Sequence, residues 1–245
     1  MISKQQQKYV QSLHNKKYRT ENERFLVEGE KSILELLNSD FEVEIVFCSP
    51  ELAAEIDSAG YKVKVAEGSG DEIGKISTLK NNSSGVAVVR SKPNRPVYCG
   101  KDEIILVLDD IRDPGNLGTI IRLADWYGLK NIVCSEETVE FYNPKVIAST
   151  MGSFTRVHCY YTSLATYFEG IELPLTGTFL EGQNVHEFIF PPSGYLVIGS
   201  ESHGISDAMK ERIDFRVTIP RFGLAESLNA ANATAIVLDN LKRNK

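Results

Sequence analysis

The sequence predicts a two-part α/β protein whose second part is built on a mostly parallel sheet. Three observations point there. From residue 104 onward, short apolar runs rich in Val, Ile and Leu alternate with helical segments, the signature of strands buried on both faces. A stretch broken by Pro93, Pro96 and Gly100 separates this region from a first, smaller series of helices and strands. The chain of 245 residues is long for one compact domain, and 42% hydrophobic residues suffice for two cores.

In the first part, SKQQQKYVQSLHN and EGEKSILELLNS carry helical periodicity, while VEIVFC, YKVKVA and GVAVVR read as short strands. PELAAEIDSAG fits a connecting helix closed by Gly60. The expected boundaries are 1–90 for this domain, 91–102 for a linker and 103–245 for the second domain. The second domain opens on the strand IILVLDD, followed by helix NLGTIIRLADWYG, strand NIVCS and helix NPKVIAST. Strand TRVHCYY, helix SLATYFEG, strands LTGTFL and YLVIGS, helix SDAMKER and strand FRVTIP come next. The closing helix, within ESLNAANATAIVLDNL, reads as small and apolar almost all round, with Ser227, Asn229 and Asn232 near its start.

No stretch approaches the 18 or so uninterrupted apolar residues of a membrane span. The N-terminus has no apolar core of a secretory signal. Cys48, Cys99, Cys134 and Cys159 are scattered, as are His14, His158, His186 and His203, so the expectation is a reduced, cytoplasmic protein without a metal site. The net charge is −6, yet residues 1–24 carry six basic residues against Glu21 and Glu23, placing +4 there and −10 on the remainder. Lys16, Lys17, Arg19 and Arg24 are thus candidate phosphate contacts. A solvated amphipathic helix with Val10 and Leu13 inward is the equal alternative.

Three loops after predicted strands collect the polar residues, where ligands bind in parallel sheets. In DDIRDPGNLGTIIRLADWYG, Asn116 can cap the helix, and Leu117, Ile120, Ile121, Leu123 and Ala124 form a buried arc that leaves Arg122 outward near Trp126. That arginine is either an ordinary surface residue stacked on tryptophan or a grip for a phosphate or carboxylate. In YLVIGSESHGIS, Gly199 and Gly204 permit close backbone approach, and Glu201 at the apex can accept hydrogen bonds. His203 has no identifiable partner there. In IPRFGLAESLN, Ser227 can cap the following helix. Neither G-x-G-x-x-G nor G-K-[ST] occurs, which removes dinucleotide and P-loop readings.

Taken in order, D-x-x-D-P-G-N-x-G-x-x-x-R, G-x-E-x-x-G-[IL]-S and I-P-x-x-G-x-x-x-S-L-N resemble the SpoU (TrmH-like) branch of the SPOUT RNA methyltransferases, over residues 104–245. FLVEGEKSILELL is similar to the small substrate-binding domain of many ribosomal-RNA members, related to a ribosomal-protein fold. The resemblance implies a deep trefoil knot, a homodimer, S-adenosylmethionine as cofactor, and methyl transfer to a ribose 2′-hydroxyl of RNA. It implies cofactor contacts from the backbone around Gly199, Ile219 and Leu228, with Thr178 nearby. It assigns Asn116, Arg122, Glu201, Ser227 and Asn229 to the polar active site. Ala230, Ala231 and Asn232 depart from the Val-rich continuation usual in the family, and Asn232 and His203 receive no role. Large-subunit ribosomal RNA is the substrate the N-terminal domain suggests. A transfer-RNA target and a catalytically silent assembly factor are the alternatives.

Overall fold

A computed structural model describes residues 1–243, which fall into two compact units, Met1–Pro93 with Glu140–Thr155, and Asn94–Val139 with the described chain from Arg156 onward. In the first unit, β1 (Arg24–Glu28), β2 (Val43–Cys48), β3 (Val65–Glu67) and β4 (Gly85–Arg90) form a sheet in the order β1-β4-β2-β3. Its helices are α1 (Lys4–Ser12), α2 (Lys16–Asn22), α3 (Glu30–Leu37), α4 (Pro50–Ser58), α5 (Gly70–Ile76) and α7 (Pro144–Thr150). Local chemistry sets several starts. Ser3 and Ser69 each form a capping box with the Gln or Glu three residues on. Pro50 follows the cap Ser49, where its missing N–H costs nothing.

Helix α1 turns Val10 inward with Leu13 at its C-cap, both fully buried, whereas the buried residue of α2 is Arg19. It is only 4% exposed, pairs with Glu140 through two bonds of 3.1 and 2.8 Å, and donates to the carbonyls of Leu13 and His14. A guanidinium so occupied has no face left for a phosphate, so the expectation for Arg19 is corrected: it is a structural residue. Arg24 is likewise engaged, with Glu44 at 2.7 Å. Lys16 and Lys17 remain on the surface. Around Arg19 the segment 140–155 completes the core, as Phe25 packs against Phe41, Tyr142 and Phe154.

The stretch 91–100 has no regular secondary structure but is anchored along its length. Ser91 N–H donates to the Glu23 carbonyl and Lys92 N–H to the Tyr142 hydroxyl in the first unit. From Asn94 the bonds go to the second: the Asn94 amide pairs both ways with the Tyr161 backbone, and the Tyr167 hydroxyl donates to the Val97 carbonyl.

The second unit contains β5 (Ile104–Asp109), α6 (Pro114–Trp126), β6 (Asn131–Cys134), β7 (His158–Tyr161), α8 (Leu164–Tyr167) and β8 (Leu175–Asn184). It continues through β9 (Gly194–Gly199), α9 (Asp207–Lys210), β10 (Phe215–Thr218) and α10 (Ala230–Arg243). Its six strands are all parallel in the order β10-β8-β9-β5-β6-β7. The central strand β5 is buried at every residue, as an apolar run covered on both faces must be. The chain runs outward through β6 and β7, then crosses back so that β9 lies beside β5. The carboxyl ends of β5 and β9 therefore meet where the winding reverses, the place such sheets bind ligands. One irregularity stands out. Gly177 of β8 pairs with Arg216 and Gln183 with Val217, so residues 178–182 leave the ladder as an excursion at the same sheet edge.

Candidate active site

Asp113, not Asn116, caps α6: its carboxylate accepts from the Asn116 N–H at 2.8 Å, and Pro114 occupies the first helical position. The cap falls three residues earlier than expected, and the Asn116 side chain is thereby free to face outward. Of the expected buried arc, Leu117, Ile120, Ile121 and Ala124 are buried and Leu123 is half-buried. Arg122 lies on the exposed face with Trp126, which is 82% exposed. Among the described residues Arg122 has no hydrogen-bond or ion-pair partner.

The loop after β9 is folded tightly on the strand end. Ser200 and Gly204 exchange backbone bonds of 3.1 and 2.9 Å, with Gly204 in the left-handed region at φ +68°. A Cβ on Gly199 would stand 2.1 Å from the Gly204 carbonyl carbon and 2.2 Å from the Ile205 nitrogen, so only glycine allows this turn. Glu201 projects from its tip. Exposed His203 contacts only its neighbours, its ring meeting the Ser202 hydroxyl at 2.7 Å and its N–H the Ser200 hydroxyl at 3.3 Å.

The loop after β10 differs in kind. Residues 221–229 are all exposed, and among the described residues Ile219 to Leu228 make no backbone–backbone hydrogen bond. Helix α10 starts at Ala230, later than expected, so Ser227 does not cap it. Asn229 does: its side-chain oxygen accepts from Ala231 N–H at 3.0 Å and Asn232 N–H at 3.3 Å. The helix buries one face only, through Ala230, Ala231, Thr234, Val237, Leu238, Asn240 and Leu241. Asn232 lies outside that face and is exposed, so its amide needs no buried partner.

Asn229, Asn116 and Glu201, each from a different loop, meet in one hydrogen-bond chain. The Asn229 amide donates to the Asn116 carbonyl oxygen at 2.8 Å, and the Asn116 amide donates to a Glu201 carboxylate oxygen. The chain has a direction: backbone N–H groups at the start of α10 feed Asn229, which feeds Asn116, which feeds the carboxylate. Each amide orientation is thus fixed by what it touches, and the second Glu201 oxygen is left to accept from a ligand. Ser227 and Leu228 stand exposed on the same loop as Asn229. Thr178, on the β8 excursion, donates to the Val197 carbonyl of β9 at 3.4 Å.

Three buried residues behind the site were not singled out from the sequence. Asp109 accepts from Ser206 N–H at 2.7 Å, while the Ser135 and Thr138 hydroxyls accept from the N–H groups of Asp110 and Ile111. Only their position at strand ends could have marked them, and many polar residues share that property.

Residues 103–239 match the model of the SpoU rRNA Methylase family, and residues 4–87 match an MRM3-like substrate binding domain. The chain belongs to the SpoU rRNA methylase family. It is 30% identical over 236 residues to the 23S rRNA (guanosine(2553)-2′-O)-methyltransferase RlmP of Bacillus subtilis, covering 94% of this chain and 93% of that one. Among solved structures, a TrmH-family protein from Porphyromonas gingivalis aligns over 100% of both chains at 32% identity and a TM-score of 0.88. The SpoU methyltransferase AviRb from Streptomyces viridochromogenes, in complex with the cofactor AdoMet, aligns at 26% identity and a TM-score of 0.84, covering 98% of this chain and 97% of that one.

Proposed function

We propose that this SpoU-family protein transfers a methyl group from S-adenosylmethionine to a ribose 2′-hydroxyl of large-subunit ribosomal RNA. The observation that carries the reading is the directed chain Asn229–Asn116–Glu201, which ties together the three strand-end loops on which the family's motifs lie. The residues present suit the cofactor. The glycine turn at Gly199 folds its loop tightly back on the strand end, and the backbone from Ile219 to Leu228, without backbone–backbone hydrogen bonds among the described residues, offers donors and acceptors to an adenosine. Apolar Ile219 and Leu228 would flank the base, with Thr178 alongside.

When bound, S-adenosylmethionine supplies an electrophilic methyl carbon, so the protein's task is orientation and handling of one proton. Orientation alone can contribute about 7–11 kcal/mol in favourable cases. Arg122, unpaired and exposed, holds the phosphate beside the target ribose and polarises its hydroxyl. The free oxygen of Glu201 accepts a hydrogen bond from the ribose hydroxyl and takes its proton as the ribose oxygen gains the methyl group, and Ser227 and Asn229 border it. Restriction to RNA follows from the need for a 2′-hydroxyl.

The same reading makes residues 1–90 the RNA-binding part, with Lys16 and Lys17 as surface contacts, and includes the family's trefoil knot in 103–245. It also makes the protein a homodimer, which would cover Trp126, Phe222 and Leu224, exposed at 82%, 98% and 99%. Four free cysteines suit a reduced, cytoplasmic setting, and no helix among the described residues is long and apolar enough to cross a membrane. Calorimetric titration of the folded protein with S-adenosylmethionine, followed by tritium transfer to large-subunit ribosomal RNA from cells lacking the gene, tests the reading. Absence of binding overturns it.

A further inference from the structure

We propose that Asp109 is a positioning residue for Glu201, acting through the backbone of the loop that carries it; this rests on the functional reading above. Asp109 ends β5 and lies in register beside Gly199 of β9. It is 4% exposed, and its carboxylate accepts from Ser206 N–H at 2.7 Å. A buried carboxylate is costly unless it is hydrogen-bonded, and a neutral side chain could have filled the same space. What the charge provides is a short, strong bond to one backbone N–H.

The position of that bond gives it a function. The paired backbone bonds of Ser200 and Gly204 close the tip 201–203, which displays Glu201. Two residues beyond that closure Asp109 holds Ser206, so the closed turn is fixed to β5 as well as to the end of β9. The residues following Asp109 lead to Asn116, and they are held separately by Ser135 at 3.0 Å and Thr138 at 3.2 Å. Asp109 thus stands where the two loops diverge whose tips rejoin in the bond between Asn116 and Glu201. Releasing Ser206 frees Glu201 to move, and a misplacement near 1 Å can lower a rate by about a hundredfold.

The experiment combines Asp109→Ala and Glu201→Gln in a double-mutant cycle on kcat, with tritiated S-adenosylmethionine and large-subunit ribosomal RNA from cells lacking the gene. Asp109→Ala is expected to lower kcat by about tenfold to a hundredfold, and to add almost nothing in the Glu201→Gln background. Full additivity overturns the proposal. Hydrogen exchange gives a readout independent of RNA: Asp109→Ala should lose protection within 200–206, with the β5 and β9 cores unchanged. Unchanged exchange there also overturns it. Asp109→Asn keeps an acceptor for Ser206, and should retain both the protection and most of kcat even if the alanine variant folds poorly. An asparagine variant that is protected yet as slow as alanine would show the charge acting directly, against a positioning role. If Glu201→Gln alone keeps full activity, the reading of the active site fails instead, and the exchange data still decide whether Asp109 holds the loop.

Discussion

Asn229 does two jobs with one amide: its oxygen caps α10 and its nitrogen orients Asn116. Asn229→Ala should therefore lower stability by about 1 kcal/mol, the usual worth of a cap, and also reduce kcat. Asn229→Asp should restore the cap but not the donor to Asn116. Urea denaturation separates the two effects from the methylation assay. Arg122, which has no partner to lose, should show the opposite pattern. Arg122→Ala should leave the urea midpoint unchanged while lowering methyl transfer at least tenfold, and Arg122→Lys should recover part of the activity because charge survives but the planar fork does not. Arg19→Ala is a third case. It breaks a largely buried pair with Glu140 and should cost about 3 kcal/mol of stability, measured by urea denaturation. RNA affinity per folded molecule should not change.

At the level of elements, the apolar periodicity was enough to locate most strands and helices, because burial of β5 or the inner face of α6 leaves a direct trace in residue type. What it did not show were β1, α2 and α5, short elements whose form comes from neighbours and from caps such as Asn15 and Ser69. The capping errors have a common cause. Asp113 and Asn229 outcompeted Asn116 and Ser227, and with several Asx and Ser residues near a helix start, spacing alone cannot say which one caps. The excursion at 178–182 was equally hidden, since it depends on which residues of a neighbouring strand pair across it. The motif residues Asn116, Glu201 and Asn229 were legible, but their mutual bonding is a property of three loops meeting and has no one-dimensional signal. Gly199 offers the sharpest test at this scale. Gly199→Ala would force its Cβ into the backbone at Gly204, and should abolish S-adenosylmethionine binding in calorimetry while the far-ultraviolet circular dichroism stays that of the folded sheet.

For the molecule as a whole, the single tryptophan is a convenient reporter. If Trp126 lies in a dimer interface, its emission should shift to the blue as concentration rises through the dimer constant, and Trp126→Asp should sediment as a monomer. Alkaline pH should act on both units through buried thiols, Cys48 in the first and Cys159 in the second. Burial pushes the Cys48 thiol up to about 11 from an ordinary 9.0. The unfolded chain therefore releases that proton first, and stability falls as pH rises from 9.0 towards about 11. By a pH of about 10 the loss should reach about 1 kcal/mol, and Cys48→Ala should flatten the slope of Tm against pH over this range.

The segment Glu140–Thr155 lies in sequence between β6 and β7 of the second unit but supplies core residues to the first. The polypeptide therefore passes between units three times, and its two halves are not beads on a string. A fragment starting at Asn94 would carry Val146, Ile147 and Phe154 with nothing to bury them, and one ending at Pro93 would leave Phe25 and Arg19 short of partners. Neither piece should be obtainable as a stable protein by cutting at the visible boundary. By the same logic, exchange of the substrate-binding part between relatives requires grafting two stretches at once, which makes this architecture resistant to simple domain shuffling.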